Sequence, residues 1–141
     1  MADEVDASDP AVSMLANDRA SAELGMQLEA LGPGHATVTM RVEEWMLNGH
    51  EIAHGGFVFA LADTAFACAC NSGRSTTVAA TAEIDYLAPA AAGELLVAEA
   101  RERVAYGRSG ITDVTVWRRE PDEARIAEFR GRSRTLRRED G

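Results

Sequence analysis

Lysine is missing from this 141-residue chain: its 14 basic residues are all arginine, set against 23 acidic ones. Arginine in every basic position reads as base-composition bias of the source genome rather than as function. The net charge of −9 argues against general affinity for nucleic acid or an anionic membrane surface. Cysteine is also scarce. Cys68 and Cys70, two residues apart on a helix, point to nearly opposite sides and cannot bridge. With no third or fourth ligand nearby they make no zinc site, and they read as small core residues in a reducing compartment. No apolar run approaches the roughly 18 residues of a membrane span. The opening Met1-Ala2-Asp3-Glu4 is acidic and lacks the apolar stretch of a secretory leader, so a cytoplasmic location is expected. Neither a phosphate-binding glycine loop nor a Gly-x-Ser-x-Gly elbow occurs, which at this length excludes an α/β-hydrolase.

What remains is the composition of an ordinary globular protein, 46% hydrophobic and 26% charged. The length predicts a single domain over 1–141, with a short acidic and helical segment at 1–20. Charge is uneven: Asp3, Glu4, Asp6 and Asp9 form an acidic head, while Arg130, Arg132, Arg134, Arg137 and Arg138 form a basic tail. Alternating Arg130, Arg132 and Arg134 share one face of a strand, either a solvated face or a contact for an anion or partner.

Asp9 and Pro10 signal a short helix over 10–19. Leu24–Leu28 and His35–Val42 alternate apolar and polar residues around Gly32-Pro33-Gly34, the pattern of a hairpin. From Gly56 to about Asn71 the chain is alanine-rich and apolar nearly all round. That marks a buried helix, roughly 24 Å long at 1.5 Å per residue. The period then becomes two, predicting strands near 76–87, 94–106, 109–119 and 124–136. One long helix must cover about six strands, which predicts an α+β architecture with a curved antiparallel sheet wrapped round it.

Two anomalies coincide at the start of that helix. Gly55-Gly56 leaves unpaired N–H groups where other molecules can come close, a place that holds negative charge. Asp63 puts an ionisable group inside an apolar helix, where an unpaired carboxylate costs several kcal/mol. Asp63 follows Gly56 by seven residues, two turns on the same face. Donors and a carboxylate on one groove suit acyl transfer, the donors polarising a carbonyl while the carboxylate attacks or activates water. A satisfied structural Asp in a dimer interface is the plainer alternative.

The run Asn48-Gly-His…His54-Gly-Gly-Phe-Val-Phe-Ala-Leu-Ala-Asp63-Thr-Ala closely resembles hotdog-fold acyl-CoA thioesterases, in particular the phenylacetate-degradation (PaaI-type) proteins. Glu83-Ile-Asp-Tyr-Leu-Ala-Pro89 and Gly107-Arg108-Ser109 fit the same family, and the resemblance spans roughly residues 10–136. It implies hydrolysis of acyl-CoA thioesters in catabolism of aromatic acids, with phenylacetyl-type thioesters as the expected substrates. The Gly55 N–H would polarise the thioester carbonyl, with Gly56 beside it. Asp63, from the neighbouring subunit, would serve as general base or nucleophile. The resemblance further implies a homodimer with sites at its interface, and commonly a tetramer made of two dimers.

Asn48 matches a position proposed to contact substrate or orient the catalytic groups; a loop Asn bonding its own backbone is the plainer reading. His54 is expected to fix the Gly55 loop rather than carry a proton, and His50 to be structural. Thr81 is the nearest hydroxyl for positioning water, although Ala79 or Ala80 can hold that register. Arg108 and Ser109 are expected at the coenzyme, with Arg74 a weaker choice. Glu83 and Asp85 read as a solvated strand face. Phe57, Phe59, Leu61 and Phe66 are either acyl-pocket lining or plain helix packing. No metal or redox cofactor is implied, since coenzyme A is part of the substrate. A non-catalytic acyl-CoA sensor and a hotdog dehydratase are the rival readings.

Overall fold

The computed structural model describes residues 5–137; Asp3, Glu4 and Arg138 of the two charged termini lie outside the described residues. Asp9 opens α1 (Pro10–Ala16) by accepting the Ala11 N–H at 2.9 Å, and Pro10 occupies a position where an N–H would be unpaired. The expected helix over 10–19 is present but stops at Ala16, and a second short helix follows. Asp18 caps α2 (Arg19–Glu23) by accepting the Ser21 N–H at 2.9 Å, and that cap breaks the run. The hairpin follows as β1 (Gln27–Gly32) and β2 (His35–Arg41), turned by Gly34 at φ +79°, a conformation that suits glycine.

A 3-10 turn at Glu44–Met46 leads to the long helix, α3 (Gly55–Asn71). The four predicted strands are β3 (Thr77–Tyr86), β4 (Leu95–Tyr106), β5 (Ser109–Glu120) and β6 (Ala124–Thr135). All six strands make one antiparallel sheet in the order β1-β2-β4-β5-β6-β3, so β3 leaves α3 for the far edge.

Directly opposed residues in such a sheet share a face. Val38, Ala98, Val116 and Ala127 form one such row, and all four are buried toward α3. The neighbouring row, Thr37, Glu99, Thr115, Glu128 and Asp85, is polar and faces away from the helix. Against the inner face α3 buries Leu61, Ala62, Ala65, Phe66 and Ala69. Each large side chain buried this way contributes about 1.5–3 kcal/mol. Phe129 meets Phe59 and Phe66 at centroid distances of 5.3 and 5.7 Å. Gly131 lets the Phe66 ring sit on the sheet, since a Cβ there would lie 2.6 Å from its Cε1. Cys68 and Cys70 are free and buried, and burial pushes the Cys68 thiol up to about 12.

The far end of α3 is tied down by side chains. Asn71 Nδ2 donates to the Ala67 and Thr77 carbonyls at 2.8 and 3.0 Å, while its Oδ1 accepts the Thr77 N–H at 2.9 Å. Ser72 Oγ and the Gly73 N–H donate to Asp9 at 2.6 and 3.1 Å. One carboxylate thus caps α1 and clamps the end of α3. The other sheet edge is less finished. β3 pairs with β6 alone among the described residues, and Val78, Tyr86 and Leu87 are 43%, 53% and 53% exposed. An edge strand carrying apolar side chains in the open invites cover.

Candidate active site at the start of the central helix

His54 sets the first turn of α3. Its N–H donates to the Met46 carbonyl at 2.8 Å, its own carbonyl accepts the Phe57 N–H at 2.9 Å, and its Nδ1 accepts the Gly56 N–H at 3.1 Å. Two of the first three helical amides are therefore satisfied. The third, at Gly55, meets no acceptor among the described residues. An open N–H at a helix N-terminus is a donor ready for a carbonyl oxygen that is gaining negative charge.

Asp63 lies half-buried on the same helix, and no donor among the described residues reaches its carboxylate. Burial raises its pKa above the usual carboxylate value, and the charge of Asp18 adds to the effect. Asp18 is itself held near by Ser21, whose hydroxyl donates to it at 2.6 Å and lies 3.1 Å from Thr64 Oγ1, on the residue after Asp63. Eight residues separate Asp63 from Gly55, a rise of about 12 Å at 1.5 Å per residue. One thioester carbonyl cannot touch both groups of a single chain.

The loop before α3 is built by Asn48. Its Oδ1 accepts the N–H groups of His50 and Ile52 at 2.9 and 3.4 Å, and its backbone N–H donates to the Ile52 carbonyl at 2.8 Å. The oxygen end of the side chain is committed to the loop, leaving Nδ2 as the end that a substrate could meet. His50 is exposed.

β3 carries a bulge between Ala79 and Thr81, and beyond it Thr81 pairs with Arg132, on the sheet face away from α3. Arg108 occupies the β4–β5 turn and is exposed, and Ser109 opens β5 half-buried. The register then joins two features that are remote in sequence: Ser109 pairs with Arg134 of the alternating arginine row. Arg74 is engaged by Glu102 through its two terminal guanidinium nitrogens. Glu83 meets Arg132 at 3.6 Å, on the same face as the Arg130–Asp113 pair. Among the described residues no three His, Cys, Asp or Glu side chains are grouped to hold a metal ion.

Two aromatic residues join the site that residue patterns did not single out. Trp45 packs edge-on to Phe57 at 5.5 Å, and His54 meets the same ring at 6.0 Å. Tyr86, at the end of β3, donates its hydroxyl to the Gly55 carbonyl at 2.9 Å. The Tyr86 contact had no local signal, because it reaches Gly55 from another element 31 residues away.

The sequence profile of the Thioesterase superfamily matches residues 50–125, the stretch holding α3 and strands β3 to β5. Acyl-coenzyme A thioesterase PaaI of Escherichia coli K12 is 40% identical over 124 residues, 88% of this chain and 87% of that protein. A putative esterase of Archaeoglobus fulgidus is 40% identical over 89 residues, 63% of this chain and 58% of that protein. The solved structure of the E. coli PaaI protein, from the phenylacetic acid degradation operon, superposes with a TM-score of 0.87 and covers 91% of each chain at 40% identity. A mutant of the phenylacetic acid degradation protein PaaI from Thermus thermophilus superposes at 0.80, with 36% identity over 84% of this chain and 100% of that one. The sheet, the helix it wraps and these likenesses have one meaning: the chain is a hotdog-fold member of the thioesterase superfamily.

Proposed function

We propose that this protein hydrolyses acyl-CoA thioesters, with aryl groups of the phenylacetyl type as substrates, to the free acid and coenzyme A. The observation that carries the reading is the open Gly55 N–H and the unpartnered Asp63 carboxylate on one helix, in a chain 40% identical to an acyl-CoA thioesterase. Gly55 donates to the thioester carbonyl oxygen. Asp63 either takes a proton from the attacking water and returns it to the thiolate as the C–S bond breaks, or attacks the carbonyl carbon itself. The second course expels the thiolate and forms an anhydride, which water then opens to the free acid while supplying the thiol proton.

The separation of Gly55 and Asp63 along α3 supports a site built from two copies. With Gly55 from one subunit and Asp63 from its neighbour, both groups reach a single carbonyl, and the exposed β3 edge offers the surface that brings two chains together. The assembly is a homodimer with two such sites, paired further into a homotetramer. His54 holds the turn that presents Gly55 and Gly56, and Asn48 offers Nδ2 to the substrate. Arg108, with Ser109 and neighbouring Arg134, attracts the coenzyme phosphates. Coenzyme A enters as part of the substrate, with no separate cofactor, and the enzyme works in the cytoplasm.

Free-thiol release from a panel of acyl-CoA thioesters tests this, with oligomer size measured in the same preparation. Turnover of phenylacetyl-CoA well above that of long aliphatic thioesters supports it. Binding of phenylacetyl-CoA without thiol release refutes the enzymatic reading, and preference for long chains refutes the aryl assignment.

A further inference from the structure

Gly55 is a glycine for a reason other than backbone freedom. Its φ is not positive, unlike Gly25, Gly34, Gly73, Gly93 and Gly107. What its missing side chain permits is the approach of Tyr86: a Cβ on Gly55 would lie 3.1 Å from both Cζ and the hydroxyl oxygen of that ring. The hydroxyl uses the closeness, donating to the Gly55 carbonyl at 2.9 Å. Tyr86 is 53% exposed, so the ring is not placed there to fill the core. Its backbone pairs with Ala127 of β6, and Leu87 donates to the Ile126 carbonyl at 2.8 Å, which ties the ring to the sheet.

We infer that Tyr86 is a positioning residue of this site: its hydroxyl holds the Gly55 residue, through its carbonyl, so that the Gly55 N–H stays aimed at the substrate carbonyl. The inference rests on the thioesterase reading above. Gly55 is held from two sides. His54 fixes the N-terminal side of the turn through Gly56, and Tyr86 fixes the Gly55 carbonyl from the sheet. A donor acts on a transition state only as well as it is aimed, and loss of one whole donor costs about 10²–10³ in kcat.

Tyr86→Phe removes the hydroxyl and keeps the ring. Thiol release from phenylacetyl-CoA is measured for wild type, Tyr86→Phe and Asp63→Asn, with the Gly55 amide followed by NMR and melting recorded for each. The expected result for Tyr86→Phe is a fall of about tenfold in kcat, part of what losing a donor costs. KM should stay within about twofold, melting should be unchanged, and the Gly55 amide signal should be displaced. A merely structural role would not separate kcat from KM in this way. If Tyr86→Phe matches wild type while Asp63→Asn is inactive, the thioesterase reading stands and the Tyr86 assignment is overturned. If wild type releases no thiol at all, the thioesterase reading falls; an undisplaced Gly55 signal in Tyr86→Phe then overturns the hold by Tyr86, and a displaced one supports it.

Discussion

His54 and Gly56 are joined through a side chain: the Nδ1 of His54 accepts the Gly56 N–H at 3.1 Å, capping α3 in the manner usually left to Ser, Thr, Asp or Asn. A nitrogen engaged in this way is a poor general base, and the expected role is structural. His54→Ala should lose about 1 kcal/mol of stability, the usual worth of a cap, together with most of the activity. His54→Asn restores a capping acceptor and should recover much of both. Urea unfolding and thiol release measured side by side check this; an Asn variant that is stable but inactive would make His54 a proton carrier.

Gly55 and Asp63 should complement each other across subunits. Gly55→Pro deletes the donor at a helix position that suits proline, its Cβ also pressing on the Tyr86 ring, and Asp63→Asn deletes the carboxylate. Each variant alone is expected to be nearly inactive. Unfolded and refolded together in equal amounts, they should regain about a quarter of wild-type activity, because half the dimers are mixed and each mixed dimer has one intact site of two. No recovery in verified mixed dimers would place both groups of a site in one chain.

Much of this site is legible in the sequence, because its signals are local. A helix apolar on every side announces burial, and a carboxylate or a pair of glycines within it stands out against that background. The strand ranges are legible for the same reason, as runs of period two. The order of the strands is not, since nothing near β3 says that it crosses to pair with β6. The bulge near Ala80 shifts the phase of β3, so the facing of Thr81 depends on pairing with Arg132 rather than on counting by twos. The meetings of Ser109 with Arg134, and of Tyr86 with Gly55, likewise exist only once the sheet is assembled. Asn17-Asp18 reads as helix interior because the cap that breaks α1 from α2 comes from a residue that also fits a helical turn.

Asp63 should weaken the fold that it serves. Burial holds its pKa above the value in the unfolded chain, so the folded state binds that proton more tightly. Its favourable contribution is present in full below the unfolded pKa and is lost as pH rises through the folded pKa. Asp63→Asn, uncharged at any pH, is therefore expected to melt above wild type at pH 7. The gap should close at about pH 3, where aspartate is protonated in both states. Melting curves at the two pH values decide it; equal or lower stability of the variant at pH 7 contradicts the burial cost.

Asp9 has the opposite sign. Desolvation pushes its pKa up, but the Ser72 hydroxyl and the Ala11 and Gly73 amides outweigh it and hold the group below the usual range. The stability it contributes is present above the unfolded pKa and is lost as pH falls through the folded one. Asp9→Ala removes the α1 cap and the clamp on the end of α3 together, and should cost about 1–3 kcal/mol in urea unfolding at pH 7. The difference should shrink in acid. A loss under about 0.3 kcal/mol at pH 7 would show that the clamp is cosmetic.

The most direct test of the central claim is free-thiol release from phenylacetyl-CoA by wild type and Asp63→Asn, with fold and oligomer size matched. The account predicts turnover by wild type and a loss of at least about a hundredfold in the folded variant, the scale of a catalytic acid or base. Equal rates in the two proteins would contradict it and remove Asp63 from the chemistry.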